Sequence, residues 1–322
     1  MLASTSVMTR FRPFLLAAFF LACSSSRGEP EPPPCQGVAA EGQSACLTQH
    51  YFGESGGSEA PAPPCSGVTP STKDVGGRRE IQFWKSGVIS HADVAVEGRH
   101  LARFYSAYDL TFFTNAAAID VGFSNALEGT DADFNAAARS GKSQEEVNRL
   151  VADVMFKSVR EFVRAQAAPV KDRVDIVVLE QIASPDVAKQ FKGGVIAGLG
   201  LSPKLFANIA KDDPSKNLFD LLALPRDFTP VLFVGHADIV KLAKNAEVVV
   251  AHELGHSLGL QHTMQSGNLM TQGQGSVACV PALVDAQIEE LKRTGTTLEA
   301  EESWRALLDL HRTIVDRVML AR

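Results

Sequence analysis

Regular spacing of apolar positions begins near Ile81. Residues 92–107 carry a modest helical pattern, with apolar side chains returning at helical intervals. Short apolar runs of the kind that forms strands occur at five places, which are 110–114, 118–123, 174–179, 194–199 and 231–234. Helical and strand-like segments therefore alternate through the middle of the chain.

The best periodic element follows Ser143-x-x-Glu146, which is a capping box that opens a helix. Its apolar positions form one continuous stripe from Val147 to Val163. A stripe of this length has to be covered by another apolar surface. We therefore expect one long helix that lies across the back of a sheet.

Three more helices are predicted after the last strand-like run. The first covers 246–258, where Asn245 can cap its start, and helical patterns over 284–291 and 304–318 close the chain. An order of strand, long helix, strands and helix indicates an α/β (α+β) layout with mixed strand pairing. The last two patterns predict a mainly helical C-terminal part.

The segment 24–75 has a different composition, because Pro, Gly, Ser and Glu dominate it and apolar periodicity is almost absent. Such a composition cannot bury a core. We expect a flexible, disordered tether with at most one disulfide-closed knot, followed by a folded domain over 76–322.

The first 23 residues have the layout of an export signal. Arg10 and Arg12 precede the apolar run 14–22, which is too short to span a bilayer and ends at Cys23. Phe20-Leu21-Ala22-Cys23 resembles a bacterial lipoprotein box, which would make Cys23 the lipidated first residue of the mature protein. The alternative is a plain signal peptide in which Cys23 is incidental. Either reading predicts export, with lipid anchoring to the cell envelope, preferably the outer membrane, or secretion.

Four cysteines remain once Cys23 is set aside, an even number for an exported protein. Three pairings are possible. Proximity in sequence favours Cys35–Cys46, which leaves Cys65–Cys279 to hold the N-terminal tail near the later part of the chain.

Composition and charge limit the classes of function. The chain has 322 residues with 45% hydrophobic and 21% charged content, which is ordinary for a globular protein of one large or two small domains. A net charge of −6 without a basic patch argues against nucleic acid as a partner. The acidic segment 128–135 resembles a calcium loop, but Ala136 and Lys142 stand where such a loop needs Gly and Glu, so a solvated acidic loop is expected.

The strongest chemical motif is His252-Glu253-x-x-His256-x-x-Gly259-x-x-His262. Histidines at i and i+4 on a helix point the same way and can reach one metal ion. Gly259 lets the chain leave the helix with positive φ, which brings His262 round as a third ligand. Three neutral nitrogens and a water form the open tetrahedral site of a catalytic zinc. Glu253, one residue past the first ligand, can face the open position as general base.

These residues match the metzincin zinc-peptidase signature position for position, and Met270 stands where metzincins have their Met-turn. Thr263 and the eight-residue step to Met270 look most like the matrixin branch. No Tyr follows Met270, so the tyrosine that assists the oxyanion in some branches has no counterpart. A second hypothesis for Cys65 follows from the resemblance, namely an inhibitory zinc-binding thiol as in matrixin propeptides, although the Arg and Asp that flank such a cysteine are absent.

The resemblance implies a zincin with a twisted mixed sheet, an N-terminal subdomain up to about residue 259 and a C-terminal subdomain over 260–322. It places Met270 beneath the metal as an apolar floor. It also places the run 194–199 on the edge strand that borders the active-site cleft. The candidate substrate-binding residues of that strand are Val195, Ile196, Ala197, Gly198 and Leu199. Simple irregularity at a strand end is the alternative explanation of its glycines.

The favoured hypothesis is therefore an exported, lipid-anchored zinc endopeptidase that acts on peptide or protein substrates. One alternative is a non-catalytic surface-binding lipoprotein, which Glu253 argues against because a binding module does not need an acid beside the metal. A zinc amidase acting on cell-wall peptides would use the same chemistry. Of the remaining histidines, we expect His311 in or beside the core and His236 in a loop, neither as a ligand.

Overall fold

The computed structural model of this chain describes residues 31–53, 63–141, 143–166, 168–170, 172–190, 196–204, 206–207, 217–242, 246–271, 279–292 and 302–320. Strands in these residues are mostly short and apolar. In chain order they are β1 Arg78–Ser86, β2 Thr111–Phe113, β3 Ile119–Val121, β4 Asn125–Leu127, β5 Arg173–Leu179, β6 Gln181–Ala183, β7 Gly198–Leu201 and β8 Val231–Gly235.

The main sheet has the strand order β2-β1-β5-β8-β7, and β3 also pairs with β1. All of these neighbours are parallel except β7, which runs antiparallel to β8 with Gly198 opposite Val234 and Leu201 opposite Val231. A separate parallel pair joins β4 to β6. The prediction of an α/β layout with a mixed sheet is confirmed, and β7 is the antiparallel strand at its edge.

The helices in the described residues range from one turn to five. They are α1 Ala40–Phe52, α2 His91–Ser106, α3 Asp131–Ser140, α4 Gln144–Met155, α5 Lys157–Ala165, α6 Pro185–Ala188, α7 Leu218–Leu221, α8 His236–Leu242, α9 Ala246–Ser257, α10 Asp285–Lys292 and α11 Glu302–Leu320.

Helices cover both faces of the sheet, because successive side chains of a strand point to opposite sides. Ile176 and Val178 of β5 join a core formed with α1, α2, α9 and α10, whereas Val177 and Leu179 join a second core formed with α3, α4, α5 and α11. Parallel strands buried on both faces are rich in apolar residues, as β8 is throughout and β5 is apart from Arg173 and Asp175. The segment 260–322 divides between the two cores, since α10 belongs to the first and α11 to the second.

The predicted long helix is interrupted near its middle. Ser143 caps it as expected, since its side chain accepts a hydrogen bond from the N–H of Glu146. Phe156, however, has φ −105° and ψ 21°, which ends α4 and starts α5. Both helices keep their apolar side on the sheet, with Val151 and Val159 fully buried. The backing element is therefore two helices with one shared apolar stripe.

The prediction of a disordered tether over 24–75 is wrong for residues 40–52, which form α1. Leu47 and Tyr51 are fully buried, and the Tyr51 hydroxyl contacts His91 Nδ1 at 2.9 Å and accepts the Ala118 N–H at 2.9 Å. The Cys35–Cys46 disulfide closes the chain just before these anchors. A few buried aromatic and aliphatic side chains are enough to dock a helix on the core, even where the average composition of the segment is polar.

The acidic segment is not the solvated loop that its composition indicates, because α3 begins within it. The Thr130 side chain accepts the Asp133 N–H at 3.2 Å, and the Asp133 carboxylate accepts the Thr130 N–H at 3.0 Å. This reciprocal cap satisfies the first turn, while Phe134 and Ala138 are buried against α4. The acidic side chains belong to a helix N-terminus, where negative charge is favourable.

Some expectations lie outside the described residues, namely the signal segment with Cys23 and the cap at Asn245. Among the helices that are described, none combines the length and the apolar character needed to cross a membrane.

Candidate active site

Helix α9 carries the first two histidines of the motif and is held from two sides. Val250, Ala251 and Leu254 are fully buried in the core that α9 shares with α2. The Tyr105 hydroxyl of α2 donates a hydrogen bond to the Ala251 carbonyl at 2.9 Å. Ser257, at the other end, donates to the Val231 carbonyl of β8 at 3.3 Å. The helix is thus fixed before any metal binds.

The chain turns sharply at Gly259, as the motif predicts. Gly259 has φ +96°, a left-handed conformation that a residue with a Cβ atom adopts only with strain. The Leu260 N–H bonds to the Gly255 carbonyl at 2.8 Å, and the Gly259 N–H bonds to the His256 carbonyl at 2.9 Å. These bonds close the helix end and send the chain back toward His262.

The three motif histidines converge. Their Nε2 atoms lie 3.1 Å apart in each of the three pairs formed by His252, His256 and His262. His252 donates its Nδ1–H to the Leu269 carbonyl at 2.7 Å, and His256 donates its own to the Leu260 carbonyl at 2.8 Å. Because a neutral imidazole carries one proton, these bonds leave the Nε2 lone pairs of His252 and His256 free.

This arrangement fits a bound zinc ion. Ligands about 2.0–2.1 Å from a tetrahedral zinc are separated by roughly 3.3 Å, close to the observed spacing. Burial and the neighbouring His252 lower the pKa of His262 to about 4, and burial lowers the pKa of His256 well below its usual value. Both side chains are therefore neutral at pH 7, as metal ligands must be. Three imidazole nitrogens at this spacing can share one cation, and these three residues are the group of metal-ligating side chains found in the described residues.

The Glu253 side chain extends from α9 toward the edge strand β7. A Cβ atom on Gly198 would stand 2.4 Å from Glu253 Cγ, and one on Gly200 would stand 2.6 Å from the Glu253 carbonyl oxygen. Burial raises the pKa of the Glu253 carboxyl, and His252 and the Gly200 backbone partly offset that rise. The two glycines are therefore what allow β7 to approach the helix so closely.

Met270 is fully buried beneath the same helix. A Cβ atom on Gly255, which lies between His252 and His256 in the sequence, would stand 2.7 Å from Met270 Sδ. The thioether therefore packs directly on α9. The Met270 carbonyl accepts the Thr263 N–H at 3.0 Å, next to His262. This position agrees with the apolar floor that the resemblance implies.

The predicted substrate strand is shifted along the chain. Strand β7 begins at Gly198, and Ile196 and Ala197 precede it, although the Ala197 carbonyl still accepts the Gly235 N–H at 2.9 Å. Val195 lies outside the described residues. Leu199 points away from α9 into the opposite core. No strand in the described part of the chain pairs with the outer edge of β7.

The cysteines pair as sequence proximity predicts, Cys35 with Cys46 and Cys65 with Cys279. The hypothesis of an inhibitory Cys65 thiol is therefore wrong. The second disulfide joins the N-terminal segment to the chain beyond Met270, where the Cys65 N–H bonds to the Val280 carbonyl at 3.0 Å and the Val280 N–H bonds to the Pro63 carbonyl at 2.9 Å.

His311 and His236, for which the sequence predicts a core and a loop position, both lie outside the group of three histidines. His311 is buried and donates its Nε2–H to the Asn148 carbonyl at 3.0 Å, which confirms the expected core position. His236 is not in a loop but starts α8, and its Nδ1 lies 2.8 Å from the Glu97 carboxylate, whose side chain is fully buried. His100 contacts the same carboxylate at 3.2 Å. No sequence signal pointed to this ion pair, because Glu97 and His236 are 139 residues apart.

The comparison with protein families agrees with this geometry. A family model described as Matrixin matches residues 90–277. Among solved structures, metalloproteinase-II from Bacteroides fragilis is similar at 12% sequence identity, over 82% of this chain and 61% of that one, with a TM-score of 0.32. This chain thus spans less than two thirds of that protein, and so distant a likeness supports no inference about the site. No curated protein matches the chain.

Proposed function

The chain belongs to the matrixin family, and from this premise we propose that it is a zinc-dependent endopeptidase that hydrolyses peptide bonds in extracellular or periplasmic proteins. The family places the chain among zinc metallopeptidases in general. The observation that carries the proposal further is the convergence of three histidine Nε2 atoms at 3.1 Å beside one partly buried carboxylate, Glu253.

His252, His256 and His262 hold the metal in this proposal. A zinc ion bound there supplies Lewis-acid chemistry, which polarises a carbonyl oxygen and lowers the pKa of a water molecule. The carbonyls of Leu269 and Leu260 keep the imidazoles of His252 and His256 in the tautomer that binds metal.

Glu253 acts as the general base. Its carboxylate accepts the proton of the attacking water and passes it to the departing amine, so that one group serves both steps. Burial raises the pKa of the Glu253 carboxyl. A carboxyl with a raised pKa accepts and donates a proton near neutral pH more readily than an exposed one. Its position is supported by β7, where Gly198 leaves room for the Glu253 side chain and Gly200 for the Glu253 carbonyl oxygen.

The substrate is an extended peptide that aligns with the outer edge of β7. An unpaired strand edge presents N–H and C=O groups at the spacing of a peptide backbone, so main-chain hydrogen bonds can hold a polypeptide of any sequence. Of the predicted set, Gly198 and Leu199 lie on β7, and Ile196 and Ala197 precede it. The Ala197 carbonyl accepts the Gly235 N–H of β8 and therefore faces away from the outer edge.

The test compares Glu253→Gln with His256→Ala in the purified chain. We expect the first to bind one zinc per chain and to lose peptidase activity by about 10²–10⁴. The second should lose both metal and activity. Digestion of a peptide library should give internal cleavages that a chelator abolishes. Wild-type activity in Glu253→Gln would contradict the assigned base, and cleavage restricted to peptidoglycan fragments would favour the amidase alternative.

We further infer that the protein is exported and anchored by a lipid at Cys23. The support is the layout of its first 23 residues, in which arginines precede a short apolar run and a lipobox-like Phe20-Leu21-Ala22-Cys23. Fatty-acid labelling should mark the wild-type chain and disappear in Cys23→Ser. Labelling that persists in that variant would contradict the anchor and leave a plain signal peptide.

A further inference from the structure

Asn268, two residues before Met270, has a fully buried side chain that exchanges two hydrogen bonds with Gln287 of α10. Asn268 Nδ2 donates to Gln287 Oε1 at 2.9 Å, and Gln287 Nε2 donates to Asn268 Oδ1 at 2.9 Å. Nineteen residues separate the two positions in sequence. The pair therefore joins the Met-turn to a helix of the same core.

Each amide oxygen also receives a backbone N–H. Asn268 Oδ1 accepts from Met270 at 2.9 Å, and Gln287 Oε1 accepts from Val284 at 3.0 Å. Only an oxygen can accept these bonds, so the orientation of both amides follows from them. The buried pair thus ties the Met270 peptide to the first turn of α10.

The peptides next to this pair contact the ligand histidines. The Leu269 carbonyl, which follows Asn268 directly, accepts the Nδ1–H of His252 at 2.7 Å. The Met270 carbonyl accepts the N–H of Thr263, the neighbour of His262, at 3.0 Å. Loss of the Asn268 side chain would leave the Met270 N–H without its acceptor. The same peptide group carries the Leu269 carbonyl that orients His252, so the position of His252 would change with it.

We propose that Asn268 and Gln287 are positioning residues that set the geometry of His252 and His262 for the metal. The proposal rests on the zinc site of the proposed function but not on its peptidase activity. Groups that orient a metal ligand typically contribute 10–100-fold to metal affinity. We therefore expect Asn268→Leu to weaken zinc binding by this factor.

Asn268→Asp is the informative conservative variant. An aspartate keeps an oxygen for the Met270 N–H and for Gln287 Nε2. Its second oxygen faces Gln287 Oε1 in a buried site, so the carboxyl has to be protonated and donate that hydrogen bond. We expect it to bind zinc within a few-fold of the wild type. Gln287→Leu, which leaves the Asn268–Met270 bond in place, should fall between these two variants.

The experiment measures the zinc dissociation constant by competition with a chromogenic chelator, and the visible spectrum of the cobalt-substituted chain reports the ligand geometry. Gln144→Leu is the matched control, because Gln144 forms an amide–amide bond of 3.0 Å with Asn148 on the exposed side of α4. It should change neither readout.

The outcomes separate this inference from the proposed function. Weakened zinc binding and a shifted cobalt spectrum in Asn268→Leu, with recovery in Asn268→Asp, support positioning. Equal zinc affinity in all variants overturns it, even if Asn268→Leu lowers the melting temperature of the metal-free and metal-bound chains equally. If the wild type binds no zinc, it is the proposed function that fails. Should Asn268→Leu not fold, Gln287→Leu provides the same comparison.

Discussion

Glu253 packs against Gly198 so closely that a Cβ atom on this glycine would stand 2.4 Å from Glu253 Cγ and 3.2 Å from Glu253 Cβ. The Glu253 Cβ atom is fixed by the backbone of α9, so only the outer part of its side chain can move away. The Glu253 side chain therefore occupies the volume that a side chain at residue 198 would need. The carboxylate keeps its position because residue 198 is a glycine.

Gly198→Ala should consequently displace the Glu253 carboxylate without removing any metal ligand. We expect kcat to fall by roughly 10²-fold, the typical cost of misplacing a catalytic group. Zinc content should stay at that of the wild type. The control is Gly122→Ala, since nothing lies within 4 Å of a Cβ atom there. An unchanged kcat in Gly198→Ala would show that this contact does not hold the carboxylate.

Lys204 crosses the Gly259 turn and forms an ion pair with Glu290 of α10. Their side chains are 16% and 18% exposed, so the pair is only partly screened by water. The ammonium also lies at the C-terminal end of α9, where a cation is favourable. Lys204→Met keeps the alkyl stem but leaves Glu290 without this partner. We expect the free energy of unfolding to fall by about 1–3 kcal/mol in urea titrations.

A second variant tests the cause of that loss. Lys204→Met combined with Glu290→Gln should recover part of the stability, because no carboxylate then remains beside an apolar neighbour. If the double variant is as unstable as the sum of the single ones, the ion pair is not the source of the effect.

The two disulfides should differ in their contribution to stability. In the chain-entropy model a loop of 214 residues contributes about 5 kcal/mol and one of 11 residues about 3 kcal/mol, less any strain. Replacing Cys65 and Cys279 by Ser should therefore destabilise the chain more than replacing Cys35 and Cys46. Guanidinium denaturation measures the difference. Thiol titration of denatured, unreduced Cys23→Ser protein should find no free thiol, and one or more would argue against this pairing.

Stability should depend on pH through the ion pair of His236 with Glu97. The hydrogen bond to Glu97 raises the pKa of His236, with burial opposing the rise. Burial disfavours charge on Glu97, but hydrogen bonds from His100 and His236 outweigh it and lower the pKa of this carboxyl. Since the folded-state pKa of His236 lies above its unfolded value of about 6.5, its contribution is complete below that pH and is lost as pH rises through the folded pKa.

His236→Asn should thus destabilise the chain more at pH 6 than at pH 9, by about 1.5–3 kcal/mol at the lower pH. Comparing wild type and variant at each pH cancels the pH dependence of metal binding. His311→Asn should show the opposite pH dependence of the stability difference. Burial lowers the pKa of His311, so its contribution to stability is lost as pH falls below about 6.5. A stability difference for His236→Asn that stays constant from pH 6 to pH 9 would rule out a charged His236.

Much of the candidate metal site follows from the sequence because its geometry is local. The i, i+4 spacing of His252 and His256 and the left-handed turn at Gly259 depend on helix geometry and on the conformational freedom of glycine alone. The carbonyls that accept hydrogen bonds from His252 and His256, and the start of β7 at Gly198, could not be predicted in this way. They depend on where Leu269 and Gly198 arrive after folding, and strand ends are the least certain part of any pattern.

What the sequence by itself determined is the class of the sheet and the three histidines that converge as a candidate metal site, and it favoured the two disulfide pairs. Each of these follows from short spacings or from proximity along the chain. Only the tertiary structure decided that α1 docks in a segment of tether-like composition, that Glu97 meets His236, that Asn268 pairs with Gln287 and that Gly198 makes room for Glu253. These contacts join residues far apart in sequence, 139 positions in the case of Glu97 and His236. Local propensity carries no information about such pairs, because the packing of the whole core selects them.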